Sequence, residues 1–268
     1  MGMHVRIEGA GAAMLFLHGY AVDHRTFTPC EEILAGSGTW QRIYLDLPGF
    51  GASPANGIEP TADAIIEHVV EFVSRNIESP FAVVGNSFGA QIARRLAGLF
   101  GDRLLGAAFI SPVVADPPVA RLPPRIAPRR NKELRDRLDP IDRALFVANA
   151  VDHSWANWLR FERCVLPGLK SYDREFGERL RAAFVPAAAV PPERGTVPVP
   201  ALLVTGRQDM VVGWADQQNL LQIYTRMESV ILDGSGHNPH IDRPEAFEHS
   251  FREWLRRLDS EAARQVPT

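Results

Sequence analysis

The chain has 268 residues, of which 46% are hydrophobic and 23% charged. Those proportions exclude a low-complexity disordered chain and are enough for one sizeable core. With 29 basic against 32 acidic residues the formal net charge is −3, which argues against a dedicated nucleic-acid binder.

No apolar run reaches the length of a membrane span, so no membrane partner is expected. The N-terminus lacks the basic segment, apolar stretch and small-residue site of a secretory leader. Cys30 and Cys164 are too few for a disulfide framework or a cysteine-based zinc site, which makes a reducing cytoplasm the simplest location.

Short apolar runs punctuate the chain. Met14–Leu17 stops at His18-Gly19, and Arg42–Leu47 stops at Pro48-Gly49. Thr61 is a plausible N-cap for a helix over Ala62–Arg75, with Ile65, Ile66, Val69, Val70 and Val73 on one stripe. Phe81–Val84 stops at Gly85, and Phe88–Phe100 reads as a helix ended by Gly101. Leu104–Ile110 is the next apolar run. Ala201–Thr205 and Ser229–Leu232 follow much later, with helices expected over Trp214–Met227 and Pro244–Leu258. Runs this short and apolar on both faces suit buried parallel strands. The alternation with helices predicts an α/β fold with a mostly parallel, doubly wound sheet.

One stretch breaks the rhythm. From Ser111 to about Thr196 no buried strand is legible, and the 90 residues from Ser111 to Pro200 hold 13 of the 21 prolines. The expectation is an inserted helical cap over 111–196, flanked by a core of 1–110 and 197–268. Trp155, Trp158 and Phe161 recur at helical spacing there. That spacing suits packing onto the main domain, and it also makes Trp155 and Trp158 candidates for a substrate pocket. Arg121 to Arg137 carries seven basic residues (Arg121, Arg125, Arg129, Arg130, Lys132, Arg135, Arg137) against Glu133 and Asp136. The bland reading is a solvated face, and the sharper one is a patch that draws anions. Asp23 is expected to cap the helix that follows it.

The chemistry concentrates at Gly85-Asn86-Ser87-Phe88-Gly89. A G-x-S-x-G run between a strand and a helix makes a sharp, strained turn that lifts the serine hydroxyl above the sheet edge. A serine hydroxyl needs a base, and the base needs an orienting carboxylate. The best acid after Ser87 is Asp209, just past an apolar run, with Asp216 and Asp233 as fallbacks. The best base is His237, in Gly234-Ser235-Gly236-His237, with His240 as rival. An oxyanion would be met by the backbone N–H of Phe88 and by that of Tyr20, after His18-Gly19. Such donors are worth ~3 kcal/mol each.

His18-Gly19, the run Asp46-Leu47-Pro48-Gly49-Phe50-Gly51-Ala52-Ser53, the Ser87 elbow, Gly206-Arg207-Gln208-Asp209 and Gly236-His237 stand in the order seen in the α/β-hydrolase superfamily. The chain resembles that superfamily from about Leu15 to Leu258. The resemblance implies Ser87 as nucleophile, Asp209 as acid and His237 as base, and a structural role for the Asp46–Ser53 loop. Serine at the elbow disfavours the branches that use an aspartate nucleophile. The expected activity is hydrolysis of an ester-like bond in a small molecule, with no metal or organic cofactor, by a monomer or homodimer. The alternatives are a carbon–carbon bond hydrolase of ring-cleavage products, whose Gly-Asn-Ser elbow is similar, and a non-catalytic binding protein of the same fold.

Overall fold

Met14 and Phe16 face one side of strand β2 (Ala12–Leu17) and Leu15 and Leu17 the other, and all four are fully buried. A strand covered on both faces must be apolar at every position, which is why this run lacks alternation. The computed structural model describes residues 2–35, 39–114, 121–126, 131–183 and 195–265.

Strands β1 (Val5–Glu8), β2, β3 (Trp40–Leu45), β4 (Phe81–Asn86), β5 (Leu104–Ile110), β6 (Pro200–Gly206) and β7 (Arg226–Leu232) form one sheet in the order β1-β3-β2-β4-β5-β6-β7. β1 runs antiparallel to β3, and all other pairs are parallel.

Helices α1 (Thr28–Leu34), α2 (Ala62–Asn76) and α3 (Phe88–Leu99) belong to the first half of the chain. Between β5 and β6 the described residues form α4 (Lys132–Arg137), α5 (Pro140–Asn149), α6 (Trp155–Cys164), α7 (Leu166–Ser171) and α8 (Arg174–Ala182). After β7 come the short α9 (Pro239–Asp242) and the long α10 (Pro244–Gln265).

The two faces of the sheet are covered by different helices. Ile65, Ile66, Val69 and Val73 of α2 and Ile92, Ala93 and Leu96 of α3 pack with Leu15 and Leu17. Cys30, Ile33 and Leu34 of α1 and Phe247, Phe251 and Trp254 of α10 pack with Met14 and Phe16. The Thr61 hydroxyl accepts the Ala64 N–H at 3.2 Å, the expected cap. Asp23 likewise accepts the Arg25 N–H at 2.9 Å and caps a 3-10 turn over His24–Phe27.

The helical insertion has its own core. Leu134, Phe146, Trp158, Phe161, Cys164, Val165 and Leu166 pack with Val22 and with Ile241 of α9. Phe176 and Leu180 of α8 instead join the main core, with Phe176 against Phe50. The prolines at 117, 118, 186, 191 and 192, and Arg129 and Arg130, lie outside the described residues.

Three elements differ from expectation. β1 was not legible, because it is an edge strand whose Val-Arg-Ile-Glu sequence is only half-buried. The helix expected over Trp214–Met227 is a 3-10 segment, Asp216–Gln222, which gives way to β7 at Arg226. The buried Gln217 amide donates to the carbonyls of Pro112 and Val212, and Tyr224 is fully buried. These anchors, with Tyr224 packed on Phe109 of β5, hold the segment against the sheet. β7 begins three residues before the expected Ser229. As the other edge strand it exposes Arg226 and Glu228, which hides its first three residues from an apolar-run reading.

Candidate active site

The chain turns sharply at Ser87. Its φ of 53° and ψ of −114° lie where non-glycine residues are strained. The Ser87 N–H donates to Ile110 O at 2.9 Å, and the Ser87 carbonyl accepts from Ala90 and Val113, so the strain is held on both sides. The flanking glycines are required by space. A Cβ on Gly85 would lie 2.4 Å from Ala90 Cα, and one on Gly89 would lie 1.9 Å from Leu17 O. Helix α3 therefore starts directly against the end of β2.

The loop after β2 is fixed by His18. The Leu47 N–H donates to His18 Nε2 at 2.8 Å, so the proton sits on Nδ1, which donates to Gly19 O at 2.7 Å. Burial pushes this imidazole below its ordinary pKa despite the pull of Asp46. With the Gly19 carbonyl held toward His18, the N–H of Tyr20 points the opposite way across the planar trans peptide. Gly19 itself abuts the elbow, where a Cβ would lie 3.0 Å from Ser87 Cβ. The Tyr20 ring packs against Phe50 and Tyr172. Burial, and then Tyr172, push its hydroxyl up to about 12. The Phe88 side chain is buried in the main core.

Asp209 and His237 meet. His237 Nδ1 lies 2.9 Å from Asp209 Oδ2, while Asp209 Oδ1 accepts the N–H groups of Val211 at 2.8 Å and Val212 at 3.1 Å. A carboxylate so placed accepts a hydrogen bond from Nδ1–H and keeps the proton on that nitrogen, leaving Nε2 as the basic one. Asp209 is fully buried, whereas the His237 side chain keeps 14% of its surface and Ser87 keeps 7%. Asp209 is thus dry, and Ser87 and His237 are reachable from solvent. Ser87 follows β4, Asp209 follows β6 and His237 follows β7, all beyond the C-terminal ends of parallel strands.

The rival residues sit elsewhere. Asp216 pairs with Arg121 at 2.5 Å, and Asp233 accepts from Gln208 at 2.8 Å. His240 is fully buried with Nε2 3.2 Å from Thr26 Oγ1, and burial pushes it down to about 3, so it stays neutral. Trp158 packs against Phe146 and Phe161 inside the insertion, and Trp155 is 37% exposed at the start of α6. Neither tryptophan lines the cavity beside His237. Trp158 and Phe161 serve the core of the insertion, which Ile241 and Val22 complete, while Trp155 stays outside it.

Three supporting residues were missed from sequence. Gln208 ties the acid loop to the histidine loop, its Oε1 accepting the Ser235 N–H at 3.1 Å. Asp242 Oδ2 accepts the Gly236 N–H at 2.8 Å, and its Oδ1 accepts from Asn157 of α6 at 2.9 Å. Burial raises the Asp242 carboxyl to about 6 against the pull of those two donors. No spacing signal marks these residues: Gln208–Ser235 and Asn157–Asp242 join segments 27 and 85 residues apart, and Asp242–Gly236 depends on the turn into α9.

Asp46 is a structural hub. It accepts the backbone N–H groups of His24 and Ala52 and faces Nδ1 of both His24 and His4. Burial alone would raise its carboxyl, but the hydrogen bonds from His24 and Ala52 hold it well below the usual carboxylate range. The Asp46–Ser53 loop is closed further by Ser53 Oγ donating to Asp46 O at 2.6 Å.

The model of the alpha/beta hydrolase family matches residues 14–249, and the chain belongs to that family. The pimeloyl-[acyl-carrier protein] methyl ester esterase of Xanthomonas campestris pv. campestris is 27% identical over 93% of this chain and 98% of its own length. The enzyme of that name from Nitrosomonas europaea is 23% identical over the same shares. Among solved structures, an alpha/beta superfamily hydrolase from Oenococcus oeni PSU-1 superposes with a TM-score of 0.84 at 26% identity, covering 97% of this chain and all of that one. A thermophilic esterase from Thermogutta terrifontis shares the fold, with a TM-score of 0.64 and 19% identity over 96% of this chain and 93% of that one.

Proposed function

We propose that this chain is a serine hydrolase that cleaves an ester-like bond of a small molecule, a carboxylic ester, thioester or lactone, through an acyl-enzyme on Ser87. The observation that carries the reading is the Asp209–His237 hydrogen bond at the same sheet edge as the strained Ser87 turn. The esterase activity named for the similar proteins from Xanthomonas and Nitrosomonas supports the same bond class.

Ser87 Oγ attacks the carbonyl carbon and gives its proton to His237 Nε2. Asp209 holds the imidazole and stabilises its charged form. The amides of Phe88 and Tyr20 meet the oxyanion. The tetrahedral adduct collapses, the bond from carbon to the leaving atom breaks, and His237 returns the proton to the leaving group. Water then attacks the acyl-enzyme, passes a proton to His237, and Ser87 Oγ leaves with that proton. The insertion acts as a cap over this edge. The buried, free thiols Cys30 and Cys164 support a reducing, cytoplasmic setting.

Covalent labelling with a fluorophosphonate tests the reading, counted by intact mass on wild type, Ser87→Ala and His237→Ala. One adduct on wild type and none on either variant is expected. No adduct on folded wild type overturns the hydrolase reading and favours a binding protein.

A further inference from the structure

A cavity of about 400 Å³ opens beside His237 and Gly236, and Ser87, Phe88 and Tyr20 do not line it. It therefore lies on the histidine side of the proposed site. In serine hydrolysis the group that histidine protonates is the leaving group, so that side is where the leaving group sits.

About half of the wall is apolar, and that part is open. Ile126, Val147, Met210 and Val211 line the cavity, and each is more than a third exposed. Exposed apolar side chains that converge on one hollow mark a ligand surface. Three polar side chains in the lining are already engaged: His237 with Asp209, Gln208 with Asp233 and Ser235, and Asn149 with Leu145 O. Among the described residues no acidic side chain lines the cavity.

The remaining polar group is Arg125. Three of its charged neighbours in sequence are paired, Arg121 with Asp216, Lys132 with Asp136 and Arg137 with Glu133. Arg125 makes no ion pair among the described residues. A guanidinium left unpaired at an apolar hollow is set to receive a planar anion through two parallel hydrogen bonds.

We infer that this cavity is a leaving-group subsite for an apolar alcohol or phenol that carries a carboxylate, and that Arg125 selects that carboxylate. The inference rests on the proposed serine hydrolase reading for the location of the leaving group. Arg125 touches neither the scissile bond nor His237 Nε2 in this scheme, so its effect is on selectivity between substrates.

The test compares the acetyl ester of 4-hydroxybenzoate with that of 4-hydroxybenzamide, which differ in the charge on the leaving phenol. The ratio of their kcat/KM values is expected to favour the carboxylate in wild type and to fall about tenfold in Arg125→Gln. Arg125→Lys is expected to keep part of the preference. A ratio within about twofold of wild type in Arg125→Gln overturns the inference. So does a loss confined to phenyl hydrogen succinate, whose carboxylate is on the acyl side. Calorimetric binding of 4-hydroxybenzoate separates this failure from that of the parent reading. If wild type hydrolyses neither ester and takes no fluorophosphonate adduct, the hydrolase reading fails. Tighter binding of 4-hydroxybenzoate than of 4-hydroxybenzamide, lost in Arg125→Gln, still supports the subsite, and equal binding removes it.

Discussion

Asn157 Nδ2 donates to Asp242 Oδ1 at 2.9 Å across 85 residues of chain, and the other Asp242 oxygen holds the N–H of Gly236, the residue before His237. Helix α6 of the insertion thus reaches the proposed catalytic loop through one carboxylate. Arg160, one turn further along α6, adds a second tie by donating to Ile241 O at 2.7 Å. Insertion and histidine loop are therefore mechanically one unit.

Asn157→Leu removes a donor from a buried carboxylate, which costs ~1–3 kcal/mol of stability. Loosening the loop should also lower kcat more than it raises KM, because His237 loses its fixed approach. Urea unfolding and steady-state kinetics on one ester check both. The exchanged pair, Asn157→Asp with Asp242→Asn, keeps one amide and one carboxylate and should recover part of kcat. Failure to recover any would mean that the contact does not position His237.

The pH dependence of stability should carry two opposing contributions. The Asp242 carboxyl, raised to about 6 by burial, holds its proton in the fold where the unfolded chain has lost it. Its contribution is fully present below about pH 4 and is lost as pH rises through 6. Asp242→Asn should therefore gain on wild type between pH 4 and 7. His240, lowered to about 3, stays neutral in the fold while the unfolded chain takes up a proton. Its contribution is present above about pH 6.5 and is lost as pH falls toward 3. His240→Gln should show a shallower acid decline. Urea midpoints at pH 4, 5, 6 and 7 measure both slopes, and a variant curve parallel to wild type would refute the assignment for that residue.

Asp209→Asn should keep the loop and lose the chemistry. Oδ1 still accepts the amides of Val211 and Val212, but an amide nitrogen then faces His237 Nδ1 and favours the tautomer protonated on Nε2. A fall in kcat on the order of 10⁴ is expected, as in triads where this exchange preserves the geometry. A variant with native circular dichroism and near-native turnover would show that another carboxylate orients the histidine.

Gly89→Ala should destabilise by ~1–3 kcal/mol or more, because the new Cβ meets a backbone oxygen of β2 that cannot move away. Gly101→Ala, where nothing lies within 4 Å, should fall within about 0.5 kcal/mol of wild type. Thermal unfolding of the pair separates crowding at the elbow from a general loss of glycine.

Much of the sheet was legible because strands buried on both faces are continuously apolar. β2, β4, β5 and β6 all read this way, and their order relative to the helices implies parallel crossovers. Edge strand β1 was not, and of edge strand β7 only Ser229–Leu232 was, since β1 exposes Arg6 and Ile7 and the start of β7 exposes Arg226 and Glu228. An edge leaves one side of the strand open, so its sequence lacks the apolar run that betrays an inner strand.

The same division holds at the proposed site. The sequence alone determined the Ser87 turn and the local loops that carry Asp209 and His237, because strain, glycine spacing and strand ends are properties of a few consecutive residues. Only the tertiary structure decided that Asp209 rather than Asp216 or Asp233 faces His237, that Trp158 turns into the core of the insertion, and that Asn157, Asp242 and Arg125 gather around the histidine loop. Those choices join segments brought together by packing, and side-chain periodicity along one segment carries no record of which distant segment it meets.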